Sequence, residues 1–249
     1  MLERLWQGRG YVERDYKSVP EFSAFEEFGG NRLPRNEWKE RIDYLNEQQA
    51  QPYHWHKRYV KIRSQSRYPY CWMWGTCCAL ETAFAMQGVG SPHLNAHAAA
   101  YRGKRGAMRG GFGVEACRYI QSFGVPQESV LKGYVKQRSW SKEVQENADK
   151  HKLVDFQELG KNDFDGVVSA LIGENPQPVT LALSWWRHLV AGIGVAHKGR
   201  DFGIIIANSH GTRYSAGGLK GGYGILWGKK AVPFESVAVR HAKARSEVQ

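Results

Sequence analysis

Apolar positions are sparse over the first 60 residues, which mix charged, polar and aromatic side chains. Turn signals fall at Gly29-Gly30 and Pro34, and residues 37–49 have the spacing of one short helix. The pattern then tightens. Residues 72–86 are nearly continuous in Trp, Met, Ala, Leu and Phe and stop at Gly88 and Gly90, which predicts a buried helix with a glycine end. Residues 91–111 read as a short helix followed by a basic, Gly-rich loop, and residues 114–123 as an amphipathic helix closed by Gly124 and Pro126. After residue 125 the character changes. A helix over 164–172, capped by Asn162 or Asp163, precedes four runs of strand composition at 179–184, 188–195, 202–207 and 223–227. Helices early and strands late predict an α+β protein of two lobes. The expected division is an N-terminal extension over 1–33, a helical lobe over 34–125 and a β-rich lobe over 126–249.

Length changes this picture little: 249 residues suffice for a core that needs no disulfide or structural metal. Charge adds more. Lys and Arg number 35 against 24 Asp and Glu, a net +11, which suits an acidic partner. The basic residues are scattered apart from 102–109 and 229–230, and no RNA-binding, zinc-finger or helix-turn-helix signature accompanies them, so a solvated basic surface is expected rather than specific nucleic-acid binding. No apolar run has the length of a signal peptide or membrane span. Cys71, Cys77, Cys78 and Cys117 form no CxxC pair, so neither a zinc site nor a disulfide framework is expected, and a reducing, cytoplasmic compartment fits.

Four residues carry candidate chemistry. Cys71 opens the apolar helix after Tyr68-Pro69-Tyr70, where the positive end of the helix dipole favours a thiolate, the form that attacks a carbonyl carbon. Gln65, six residues earlier, carries an amide able to donate to an oxyanion formed on attack. His188 begins a strand-like run, and Asn208 ends Gly203-Ile-Ile-Ile-Ala-Asn208, where its amide oxygen could accept the ring N–H of His188. Taken singly, each reads as structural: a small buried hydrophobe, a surface glutamine, a core histidine. Trp185-Trp186, beside His188, either line a substrate pocket or pack between lobes. His93 and His97 have helical spacing but neither the glutamate of a metalloprotease helix nor a third ligand, and are assigned to a surface helix. His54 and His56 read as aromatic contacts.

The order of these residues resembles that of the papain-like cysteine peptidases: Gln, then Cys-Trp at a helix start, then a strand-leading His, then Asn-Ser-x-Gly-Thr and a Gly-Tyr strand. In that family His and Asn follow the Cys by about 130–150 residues; here they follow by 117 and 137. Gly110-Gly111-Phe112 and the helix after it look like the family's Gly-Gly turn beside the substrate cleft, and Pro178-Val179-Thr180-Leu181 like its Pro-Val strand. The match extends over about residues 55–230 and leaves 1–33 unmatched. It implies a two-lobe fold with a barrel-like second lobe. It also implies a thiolate–imidazolium pair of Cys71 and His188, with Asn208 orienting the ring and Gln65 in the oxyanion hole. Gly110, Gly111 and Trp186 are then expected to bind a protein or peptide substrate, with no cofactor, metal or membrane.

The departures are specific. Tyr68 and Met108 stand where the family pairs two cysteines, so no disulfide is expected. His210 stands where a Trp shields the Asn–His contact, so a wetter contact is expected, and Arg187 places a charge beside His188. Residues 1–33 are too short for the family's helical prodomain, which suggests a leaderless bacterial or bacteriophage-type member, acting on viral or host proteins or carried in a virus particle. The alternatives are a peptidoglycan amidase or endopeptidase, suited to a basic surface, and a virion or interaction protein that kept the fold without the activity.

Overall fold

A computed structural model describes residues 10–19, 32–134 and 136–243; the turn signalled by Gly29-Gly30 lies outside them. Among the described residues six helices lead: α1 (Trp38–Glu47), α2 (Pro52–Tyr59), α3 (Cys71–Met86), α4 (Ala96–Gly103), α5 (Gly113–Phe123) and α6 (Lys142–Asp149). Then come β1 (Lys152–Leu159), α7 (Phe164–Ile172), β2 (Val179–Leu183), β3 (His188–Lys198), β4 (Asp201–Ala207), β5 (Tyr223–Trp227) and β6 (Glu235–Lys243). The strands pair antiparallel in the order β1-β6-β2-β3-β4-β5. The sheet is therefore open, where a barrel-like lobe was expected.

The sheet is covered on both faces, which explains why its central strands read as unbroken apolar runs. Leu189, Ala191 and Ile193 of β3 face a core built on α3, together with Trp72, Leu80 and Phe84. Val190 and Val195 face a second core with Trp38, Ile42 and Leu45 of α1 and the inner side of α7. Odd and even positions alternate up to Ile193; the register shift between Gly192 and Gly194 then reverses the parity, and Val195 falls on the second side. Helix α1 thus packs with the strands, although it lies early in the chain. Its Trp38, Ile42 and Leu45 recur at helical spacing, and Trp38 Nε1 donates to the Leu33 carbonyl at 2.8 Å.

Helix α3 is buried along nearly its whole length, as its composition predicts, and runs against β3. Their approach is set by Gly75: a Cβ there would lie 2.5 Å from Leu189 Cδ2 and 3.1 Å from the Leu189 carbonyl oxygen. Full burial of Trp72, Leu80 and Phe84 contributes on the order of 1.5–3 kcal/mol each. The helix that starts at Cys71 and the strand that starts at His188 are therefore fixed by packing rather than by loops.

Candidate active site

The two residues with nucleophile and base chemistry begin these two packed elements. Cys71 is the first residue of α3, and the amides of Leu189, Gly10, Trp72 and Cys71 itself point at its sulfur. The Leu189 contact places the thiol against the residue that follows His188. Cys71 is fully buried, and that burial pushes its pKa up to about 12, outweighing the four amides, which act in the opposite direction. The depressed thiolate expected from the helix dipole is not found in this state: loss of solvent is the larger effect.

His188 heads β3 after a four-residue connection from β2 in which Arg187 has φ 52°. Asn208 follows β4, its backbone N–H bonded to the Gly222 carbonyl at 2.9 Å. The β3–β4 pairing, with Ala191 opposite Ala207, brings the two together, and His188 Nε2 lies 2.8 Å from Asn208 Oδ1. An amide oxygen can only accept, so Nε2 carries the ring proton and Nδ1 keeps its lone pair. Among the described residues Nδ1 has no hydrogen-bond partner, and the thiol of Cys71 is not bonded to it. Burial, with a smaller contribution from the neighbouring His210, lowers the His188 pKa to about 3. Both members of the expected ion pair are neutral here.

Gln65 is also buried, 1 % exposed, rather than lying on the surface. Its side-chain nitrogen donates to the Tyr68 carbonyl at 2.8 Å, its side-chain oxygen accepts from Ser209, and its backbone N–H donates to the Ser209 carbonyl at 2.8 Å. This ties the Gln65 segment to the residue after Asn208. With one amide hydrogen committed to Tyr68, the second is the one available to an oxyanion.

The wetter His–Asn contact expected from His210 is not found: His188 is 0 % and Asn208 2 % exposed. The imidazole is covered from two sides. The His210 ring stacks on it with centroids 4.4 Å apart, and Trp186 meets it edge-on at 4.8 Å, backed by Tyr214. Trp186 therefore serves as part of the histidine's cover. The Arg187 side chain is exposed to solvent. His97 departs from its surface assignment. It is 1 % exposed and ringed by Tyr68, Tyr70 and Tyr134 with centroids 4.3, 5.2 and 5.1 Å away, while His93 precedes α4 with φ 47°. His56 contacts Tyr223 as expected and also the Cys78 sulfur, each at 3.1 Å. All four cysteines are unpaired, and no group of three or more His, Cys, Asp or Glu able to hold a metal occurs among the described residues. No described helix is long and apolar enough to cross a membrane.

Residues 10–12, part of the stretch read as an unmatched extension, lie inside the site. Gly111 N–H donates to the Gly10 carbonyl and Val12 N–H to the Gly111 carbonyl, both at 3.0 Å, which makes a parallel bridge between Tyr11 and Gly111. Tyr11 N–H reaches the Arg187 carbonyl at 3.3 Å. The two glycines of the expected substrate turn allow this approach: a Cβ on Gly110 would lie 2.4 Å from the Gly10 oxygen, and one on Gly111 2.7 Å from the Trp72 ring. Gly10 has the same property, since a Cβ there would fall 2.5 Å from Pro69 and 2.9 Å from Cys71 Sγ. Its sequence signal, Gly8-Arg-Gly10-Tyr11-Val12, is a short glycine-flanked run that fits many loops equally well.

No family model and no curated protein matches the chain by sequence. Solved structures do. A digestive procathepsin L2 proteinase from the larval midgut of Tenebrio molitor superposes with a TM-score of 0.66 over 97 % of this chain and 80 % of its own, at 13 % identity. Bromelain from Ananas comosus does so with 0.60 over 77 % and 97 %, at 15 % identity. The fold is papain-like. Procathepsin L 3 from the same midgut adds a TM-score of 0.61 over 76 % of this chain and 68 % of its own, at 16 % identity. These structural neighbours are papain-like cysteine proteases, and at such identities the likeness establishes the papain-like architecture alone.

Proposed function

We propose that this protein is a cysteine peptidase in which Cys71 is the nucleophile, His188 the base, Asn208 the orienting residue and Gln65 a donor to the oxyanion. The observation that carries the reading is the His188 Nε2–Asn208 Oδ1 contact of 2.8 Å, buried behind Trp186 and His210, with the Cys71 thiol against the Leu189 amide. That contact leaves the Nδ1 lone pair free to accept the thiol proton. The resulting thiolate attacks a peptide carbonyl carbon, and the oxygen of the tetrahedral intermediate is met by the Cys71 N–H at the start of α3 and the second amide hydrogen of Gln65. Imidazolium returns its proton to the departing amine; the neutral ring then deprotonates water, which releases the acid and restores the thiol.

One observation favours the inactive alternative: Cys71 is fully buried. The group against its sulfur, however, is Gly10 of the chain's own N-terminal segment as well as the core, so burial alone does not argue for lost chemistry. The test is an epoxide-type thiol probe and a fluorogenic peptide panel applied to the full chain, to Cys71→Ser and to His188→Ala. Labelling and turnover that disappear in both variants are expected; turnover that survives Cys71→Ser refutes the assignment.

A further inference from the structure

We infer that His97 is a positioning residue for Gln65, acting through the tyrosine rings packed around it. This rests on the peptidase reading for the task of Gln65, though not for the geometry. Residues 64–70 lead from Gln65 to Cys71 without a helix or a strand. A side chain on such a loop keeps its place only where neighbours hold it. On one side the holder is Ser209. On the other it is a set of aromatic rings.

The Tyr68 carbonyl accepts from the Gln65 side-chain nitrogen at 2.8 Å, and the Tyr134 hydroxyl donates to the Ser64 carbonyl at 3.0 Å. Both rings face His97, with centroids 4.3 and 5.1 Å from it, and they stack on each other at 5.1 Å. Tyr70, the residue before the nucleophile, is the third, with its centroid 5.2 Å from His97 and its hydroxyl 3.3 Å from the Ala107 carbonyl. His97 does not hold these rings by hydrogen bonds. Neither of its nitrogens has a partner among the described residues, although the side chain is 1 % exposed. Two unpaired buried polar atoms oppose folding, so what the ring contributes here is its shape and its aromatic faces.

The support beneath is fixed. Asn95 caps α4 by accepting from the Ala98 N–H at 2.9 Å, and its side-chain nitrogen donates to the Leu131 and Gly133 carbonyls at 2.6 and 3.0 Å. One residue thus ties the helix that carries His97 to the loop that carries Tyr134. Tyr68 and Met108, the latter exposed, stand where the papain-like peptidases pair two cysteines. The rings around His97 are therefore a noncovalent tie between the Gln65 loop and the helical lobe.

Amide hydrogen exchange on the full chain reads the tie without any need of turnover. In His97→Ala the Gln65 N–H, bonded to the Ser209 carbonyl, is expected to exchange about tenfold faster or more, while the Ile193 and Ile206 amides of the central strands keep their wild-type rates. His97→Phe removes the unpaired nitrogens, keeps the ring, and is expected to restore slow exchange. An unchanged Gln65 rate in folded His97→Ala overturns the proposal, and so does a His97→Phe as loose as His97→Ala. Should His97→Ala accelerate the strand amides as well, Tyr134→Ala decides: that ring is about half exposed, and only the Gln65 amide is expected to quicken. A wild-type Gln65 rate there again overturns the tie. With a fluorogenic peptide, His97→Ala is expected to lower kcat about tenfold with KM unchanged, as for a displaced oxyanion donor, and to cost nothing further in a Gln65→Ala background. Additive losses would overturn the route through Gln65. Slow exchange lost in His97→Ala, with no peptide cut by the wild type, would uphold the tie and remove the peptidase reading.

Discussion

Acidification should destabilise this protein through its buried neutral histidines, and His56 allows the effect to be isolated. The ring is fully buried on α2, with Nδ1 3.1 Å from the Tyr223 hydroxyl and Nε2 3.1 Å from the Cys78 sulfur. A neutral imidazole donates at one nitrogen and accepts at the other, so it satisfies both neighbours; the charged ring has two donors and nothing to accept with. Burial, aided by the charge of Arg63, lowers its pKa from 6.5 to about 3. The folded state thus binds fewer protons than the unfolded one in this window, and the stability present above pH 6.5 is lost as pH falls towards 3. At about 1.36 kcal/mol per unit, the full span is on the order of 5 kcal/mol, and about 2–3 kcal/mol of it should be gone by pH 4.5. Urea unfolding of wild type and His56→Gln across this range gives the comparison. The variant is expected to be less stable at neutral pH, with a shallower fall by as much as one proton. His188, His210 and His97 are lowered for the same leading reason and steepen both curves equally. Parallel stability curves for the two proteins would refute the reasoning.

Gly75→Ala should destabilise by about 1–3 kcal/mol in a thermal or chemical melt, because the new methyl meets Leu189 at 2.5 Å. Since Leu189 follows His188, turnover of the folded fraction should fall as well, and an unchanged melt would show that α3 and β3 are not held by this contact. Trp186→Ala should admit water to the imidazole and move the His188 pKa upward from about 3 towards its ordinary value, visible in the ring proton resonances across a pH titration. An unmoved resonance would assign the cover to His210 alone.

The sequence made the two central elements of the site legible because each has one strong cause. The apolar block after Cys71 is a helix buried almost all round, and the run after His188 is a strand covered on both faces. Their order with Gln65 and Asn208 indicated the fold. Helices α2 and α6 and strands β1 and β6 had no such signature. Residues 142–149 are mostly polar and take their helix from the Ser141 cap, whose side chain accepts from Val144 N–H, and β1 becomes a strand by pairing with β6, 77 to 91 residues away. The cover of His188 could not be read from position 210 alone, because Trp186 arrives from the other end of the β2–β3 connection. Least legible was the seating of residues 10–12 in the site. Those contacts are made through backbone groups that every residue possesses.

The seating of Gly10 against Cys71 bears on why the helix dipole does not give a thiolate here. The largest influence on Cys71 and on His188 is loss of solvent, and it acts in opposite senses on an acid and a base: the thiol rises to about 12 and the imidazole falls to about 3. Proton transfer from one to the other is unfavourable while that burial lasts. Lifting Gly10 from the sulfur removes one amide that favours the thiolate, a small loss, and admits water, a larger gain. The thiol pKa then falls and the imidazole pKa rises, so the two converge and the ion pair becomes accessible. Iodoacetamide alkylation of Cys71 in Gly10→Ala, whose methyl would fall 2.9 Å from the sulfur and unseat this contact, should therefore begin at lower pH than in wild type. If it is faster yet keeps the wild-type pH dependence, residues 10–12 are a steric cover only, and the thiol is held neutral by the core beneath them.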